Sequence, residues 1–202
     1  KVLTNISCNF YQNQCVAIMG DNGSGKSTLL LSIAKVLIPD VGDVLVNFKS
    51  IGMVFQDCSK QILEDKTSEE IVLSLKNEGV DERIQEQYTN EMLNWSQLTE
   101  NQSTLDISVS KIRLLEISSN IYNKSIIILD EPTNYLDRNN IVKLHSFIQE
   151  LLNLGKTILI VTHDNQLASL CSRFILMHKS EIVLDTEKFE DLLLKRKSLS
   201  YA

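Results

Sequence analysis

No apolar run among the 202 residues is long enough to span a bilayer, and no signal-peptide pattern opens the chain. The chain is expected neither to cross a membrane nor to be exported by itself, so any membrane role needs a partner. Metal-type cysteine spacing is missing as well. Cys8, Cys15, Cys58 and Cys171 are scattered, three of them in or beside apolar runs, and read as reduced, mostly structural thiols of a cytosolic protein. Positive charge is in short supply: 20 Lys and Arg face 26 Asp and Glu, and the formal net charge of −6 weighs against a general nucleic-acid binder. Internal repeats and low-complexity linkers are absent too. What remains is a globular composition whose length suits one α/β domain with a moderate insertion and is ample for a real core. The chain opens at Lys1 without an initiator Met, inside a strand-rich stretch, which suggests a domain cut from something longer.

One stretch carries chemistry at once. Gly20, Asp21, Asn22, Gly23, Ser24, Gly25, Lys26, Ser27 and Thr28 fit the phosphate-binding pattern G-x-x-x-x-G-K-S/T. Cys15 to Met19 read as a buried strand feeding the loop, and Lys26 to Leu37 as a helix stopped by Pro39. Glycines let successive backbone N–H groups turn inward around phosphate oxygens, and the helix N-terminus adds partial positive charge there. In that setting Lys26 reaches the β- and γ-phosphates of a nucleotide as a point charge, and the Ser27 hydroxyl ligates Mg2+.

Ile126 to Leu129 are four consecutive apolar residues, as in a central parallel strand, and Asp130, Glu131 and Pro132 follow them. Ligands of open α/β sheets bind at that end of the strands. Asp130 would hold Mg2+ through its water shell, and Glu131 would orient or deprotonate the attacking water, the turn at Pro132 re-aiming the second acid. Alone, this is an ordinary polar strand exit; beside a phosphate loop it becomes specific. A third strand, Thr157 to Thr162, ends in His163 and Asp164. The His163 imidazole could donate a hydrogen bond to the γ-phosphate, or serve as a capping or packing residue. His145, on a helix face, and His178, in a late strand or turn, keep the packing reading. Gln56, closing the run from Ile51 to Phe55, is a weak signal alone.

Taken in order, the phosphate loop, the Val54 to Gln56 stretch, a helical insertion, the Ile128 to Asp137 stretch and Val161 to Asp164 resemble the ATP-binding cassette family, over essentially the whole chain. The resemblance implies one α/β ATPase domain, residues 1–202, with a P-loop NTPase core, a mostly parallel sheet, a small antiparallel sheet and a helical insertion. The core would come from residues 1–57 and 125–202 and the helical subdomain from 58–124. By the same resemblance Gly20 to Thr28 are the Walker A loop, Gln56 the Q-loop residue, Asp130 the Walker B acid, Glu131 the catalytic carboxylate, Leu136 and Asp137 the D-loop and His163 the switch histidine. Glu131, His163, Lys26 and Gln56 would then form the catalytic set, with Ser27, Gln56 and Asp130 around Mg2+. The adenine-stacking aromatic would lie upstream of Lys1, leaving Phe10 and Tyr11 as sheet residues.

Within the insertion, Thr67, Ser68, Glu69 and Glu70 read as a capping box opening a helix. Asp81 reads as the cap of a second, largely solvated helix through about Leu93, and Trp95 as a packing anchor. The stretch from Val54 to Asp65 resembles the ATPase subunits of energy-coupling-factor and cobalt importers.

The family's signature segment is degenerate here. Counting back from Asp130 places it on Asp106, Ile107, Ser108, Val109 and Ser110, with Arg113 in the usual basic position. Glycine there permits close backbone approach to the phosphate of the opposite subunit, whereas Ile107 or Val109 crowds it and Asp106 brings negative charge. The implied function is ATP hydrolysis that drives a membrane permease, a vitamin or metal-ion importer, in an asymmetric pair with a second cassette at the cytoplasmic face of the cell membrane. Two other readings stay open: a soluble cassette of the translation-factor type acting on ribosomes, and a nucleotide sensor without turnover.

Overall fold

Apolar runs without polar alternation make strands buried on both faces. In the computed structural model, which describes residues 2–48, 50–57 and 61–200, such runs form most of one six-stranded sheet. Its strands are β1 (Cys15–Gly20), β2 (Ile51–Val54), β3 (Ile126–Asp130), β4 (Thr157–Val161), β5 (Arg173–His178) and β6 (Glu181–Thr186), in the spatial order β2-β3-β4-β1-β5-β6. The first five run parallel, with Cys15 opposite Ile158, Val16 opposite Arg173 and Ile126 opposite Thr157. The β5–β6 pair is antiparallel. β1 and β3 flank β4, so the phosphate loop and the carboxylate pair emerge about 10 Å apart at one end of the sheet. That gap suits a polyphosphate.

Both faces of the sheet are covered. Helix α1 (Lys26–Ile33) packs Leu29, Leu30 and Ile33 on one face, against Val16, Ile18 and Ile128. The other face carries α5 (Arg138–Asn153), whose Leu144, Phe147, Ile148 and Leu151 join Ala17, Ile127 and Ile158. Each such side chain contributes about 2 kcal/mol on burial. Between β2 and β3 come α2 (Thr67–Asn77), α3 (Glu82–Ser96) and α4 (Val109–Asn120), packed on one another. Short α6 (Asn165–Ala168) and α7 (Phe189–Ser200) complete the order. Trp95 is a packing residue, its ring 4.4 Å from that of Phe147 on α5.

Several local expectations fail, each for a tertiary or backbone reason. α1 ends at Ile33, not Leu37, because Lys35 takes a left-handed conformation (φ 58°) while its N–H bonds Ser32 O and the Val36 N–H bonds Leu31 O, the Schellman arrangement. The capping box does not form. Thr67 lies inside α2 and its hydroxyl donates to Thr99 O at 2.6 Å, while the buried Glu70 carboxylate accepts from the Leu63 and Glu64 N–H groups at 2.8 and 2.9 Å. α3 does start at an Asp81 cap, but it runs to Ser96. Phe10 and Tyr11 lie in no strand; Phe10 packs beside the α1-side core under the Arg173 guanidinium. Cys58 and part of the importer-like stretch lie outside the described residues.

Candidate active site

The loop after β1 curls because glycines sit where L side chains are strained: φ is 146° at Gly20, 78° at Gly23 and 98° at Gly25, the last being the N-cap of α1. Lys26 lies along the curl. Its ammonium donates to Gly20 O at 2.8 Å and Asp21 O at 2.9 Å, and burial lowers its pKa against the pull of Glu131, Asp130 and Asp21. Asn22, Gly23, Gly25, Lys26, Ser27 and Thr28 line one cleft of about 280 Å3, and Gln56, Asp130 and Glu131 form its other wall. Gly20, Asp21 and His163 open instead into a cavity of about 200 Å3 with His178 and Arg196. Ser24 is buried in the loop, its N–H bonding Asp21 O at 3.1 Å.

At the end of β3, Asp130 stays in the strand, whereas Glu131 flips to φ 48°, a left-handed conformation that costs about 1 kcal/mol or more for a residue with a Cβ. The flip turns two consecutive acids to different tasks. Asp130 Oδ1 is buried and has no hydrogen-bond partner among the described residues. Burial raises the Asp130 pKa, opposed by the Ser27 hydroxyl and by Lys26 and Arg113. A buried carboxylate oxygen facing a serine hydroxyl is donor chemistry that fits Mg2+. Among the described residues no three His, Cys, Asp or Glu converge on one point, so an ion here would also need oxygens of its nucleotide.

Glu131 is buried as well, and desolvation raises its pKa, which strengthens it as a base. It accepts the His163 N–H at 3.3 Å, and His163 Nε2 stands 3.2 Å from its Oε1. Burial, followed by the charges of Lys26 and Arg196, lowers the His163 pKa; a neutral imidazole with one ring N–H results at neutral pH.

Residues 3–134 match the family model described as ABC transporter. The chain belongs to the ABC transporter family. It is an ATP-binding cassette by type, and its relatives agree. A putative ABC transporter ATP-binding protein of Methanosarcina mazei is 30% identical over 92% of this chain, and the energy-coupling factor transporter ATP-binding protein EcfA2 of Methanospirillum hungatei is 31% identical over 97%. The chain spans 34% and 54% of the lengths of those two proteins. Among solved structures, a dimeric post-hydrolysis state of the ATP-binding cassette MJ0796 bound to ADP and Pi shares 26% identity and superposes with a TM-score of 0.83, covering 92% of this chain and 90% of that one.

Two contacts of this ABC cassette site have no local sequence signal. His178, at the end of β5, places Nδ1 3.1 Å from Asp21 Oδ2 and so braces the loop from 157 residues away. Arg113 of α4 is fully buried and sends its terminal nitrogens to backbone oxygens of Phe55, Gln56 and Glu131 at 2.5, 3.1 and 3.0 Å, and to Glu116 Oε2 at 2.7 Å. Burial pushes the Glu116 pKa up to about 7, with Arg113 opposing.

The segment expected to carry the signature, residues 106–110, still opens a helix. Ser108 is the N-cap of α4, its hydroxyl accepting from the Lys111 N–H at 3.4 Å, and a short 3-10 turn, Thr104–Asp106, precedes it. Asp106 and Val109 are exposed beside that helix end. Asn140 donates to Ser110 Oγ and to Asp137 Oδ2, both at 2.9 Å, which ties the segment to the cap of α5.

The Gly25→Ala variant should lose nucleotide binding or fold poorly. A Cβ there would lie 2.5 Å from Leu3 Cδ2 and 2.9 Å from Val2 O, at a φ of 98°. Calorimetry with Mg2+-ATP on the purified variant checks this; affinity within threefold of the unaltered protein would refute it.

Proposed function

We propose that this cassette binds Mg2+-ATP in the Lys26 cleft and that its hydrolysis powers a membrane permease, a vitamin or metal-ion importer of the energy-coupling-factor kind. One observation carries the reading: Lys26, Gln56, Asp130 and Glu131 face one cleft, with His163 against the same glutamate. The 31% identical EcfA2 relative, an energy-coupling factor transporter ATP-binding protein, supports the energy-coupling-factor kind. Among the described residues no helix is long and apolar enough to cross a membrane. The spanning part is assigned to an integral permease, with the cassette held at the cytoplasmic face of the cell membrane.

The catalytic steps are positioning and electrostatics. Loop amides and Lys26 take the β- and γ-phosphoryl oxygens. Glu131 orients a water in line with the γ-phosphorus and accepts its proton, while His163, whose Nε2 rests 3.2 Å from Glu131 Oε1, would turn its ring N–H to a γ-oxygen once ATP fills the cleft. When bound, Mg2+ supplies neutralisation of the phosphoryl charge, and Ser27, Gln56 and Asp130 would hold it.

Closure against a second cassette, of the same or another chain, would complete the site; the dimeric MJ0796 cassette supports this reading. We assign this chain to an asymmetric pair. ATP on its own Lys26 loop would turn over against a competent partner signature, while Ile107, Val109 and Asp106 leave the reciprocal site slow. The test is a mixed pair in which Glu131→Gln, or the matching substitution in the partner, silences one site at a time. Silencing this chain should remove most phosphate release and silencing the partner only a minor part. The reverse order would sink the asymmetric assignment.

A further inference from the structure

We infer that Arg113 is a positioning residue whose guanidinium fixes the left-handed backbone of Glu131, and so the aim of that carboxylate, to the backbone of Gln56. The inference rests on the proposed role of Glu131 in activating water. β2 and β3 are neighbours, but their pairing ends at Val54 and Leu129. Beyond that point the residues that matter, Gln56 and Glu131, have no ladder between them. Arg113 takes the ladder's place: Nη2 donates to Gln56 O at 3.1 Å and to Glu131 O at 3.0 Å, and Nη1 to Phe55 O at 2.5 Å.

The geometry needs a planar fork. Nη2 reaches oxygens on the two separate chain ends, and Nη1 anchors the fork on Phe55 O and, from the α4 side, on Glu116 Oε2 at 2.7 Å. Both partners of that ion pair have fully buried side chains, so the fork has one orientation. The Glu131 backbone is also held by its N–H to Val161 O at 2.8 Å and by the Asn134 N–H to its carbonyl at 3.1 Å. Of these contacts, only the one to Arg113 links it to the Gln56 segment. A lysine's single nitrogen can meet Gln56 O and Glu131 O, but it lacks the second nitrogen that Arg113 anchors on Phe55 O and Glu116 Oε2, so nothing fixes its orientation.

The experiment uses the full-length protein with its membrane and cassette partners. Arg113→Met combined with Glu116→Leu removes both charges and strands neither, but leaves the Phe55, Gln56 and Glu131 carbonyls without this donor, so the protein should stay folded with a melting point lowered by about 5–15 °C. The expected signature is a split: KM for ATP within about threefold, and kcat down roughly a hundredfold, the cost of misplacing a reacting group by about 1 Å. Arg113→Lys keeps the charge without the fork and should stay at least about tenfold down in kcat. A folded double variant with kcat within about threefold, or Arg113→Lys with full turnover, overturns the inference. Glu131→Gln is measured beside them. If it is inactive while the double variant is active, positioning by Arg113 falls and the role of Glu131 stands; if it keeps turnover, that role falls and takes this inference with it.

Discussion

Glu131→Gln is expected to lower ATP turnover by roughly a thousandfold, within the range of removing a general base, and to leave nucleotide binding intact. The substitution is close to isosteric. The amide oxygen can keep the His163 N–H contact now made to Oε2 at 3.3 Å, so the loop after β4 need not move. What is lost is proton affinity, which burial has raised in this carboxyl. Binding should tighten slightly, because one negative charge leaves a cleft that receives phosphates and the Asp130 carboxylate loses a like-charged neighbour. Phosphate release and calorimetry with Mg2+-ATP, run on the same preparation of the paired cassettes, separate the two quantities. More than a tenth of the turnover surviving, with both sites of the pair silenced, would place the base elsewhere.

The parts of this site that were legible in the sequence are those built from contiguous residues. Gly20 to Thr28 had to be a loop between strand and helix because their spacing encodes the backbone path itself, and the curl with φ 78° at Gly23 and 98° at Gly25 follows from residues that tolerate it. Asp130 and Glu131 were placed by the apolar run before them, since a strand buried on both faces must end where its charges begin. The left-handed turn of Glu131 was not readable, because a glutamate has no local preference for φ 48° and is held there by hydrogen bonds from elsewhere in the fold. Arg113 looked like a basic position beside the signature, yet its partners Phe55 and Gln56 lie 58 and 57 residues away. Glu70 shows the same limit: local pattern offered a capping box, and two loop N–H groups at Leu63 and Glu64 outcompeted it. Local rules set which element forms; tertiary hydrogen bonds decide what its side chains do.

Lys26→Met is expected to weaken Mg2+-ATP binding about 30- to 100-fold, the loss of charge-assisted hydrogen bonds worth roughly 2–3 kcal/mol. Methionine matches the stem in length and keeps the packing of a residue that is only 7% exposed, so the change isolates the ammonium. That ammonium holds Gly20 O at 2.8 Å and Asp21 O at 2.9 Å. Its contacts therefore brace the curl as well as carry charge. Asp21 is exposed and its carbonyl can turn to water, so the curl should survive as a looser loop rather than unfold. Burial lowers the Lys26 pKa while three nearby carboxylates raise it, and the charge it presents to phosphate is the outcome of that contest. Lys26→Arg is the sharper variant. It restores a positive charge, but the planar fork is too wide for the space between two carbonyl oxygens inside the loop, and affinity should recover by less than about tenfold. Full recovery with arginine would mean that charge alone, not the point geometry of Nζ, is what the loop requires; binding unchanged in Lys26→Met would remove this cleft as the nucleotide site.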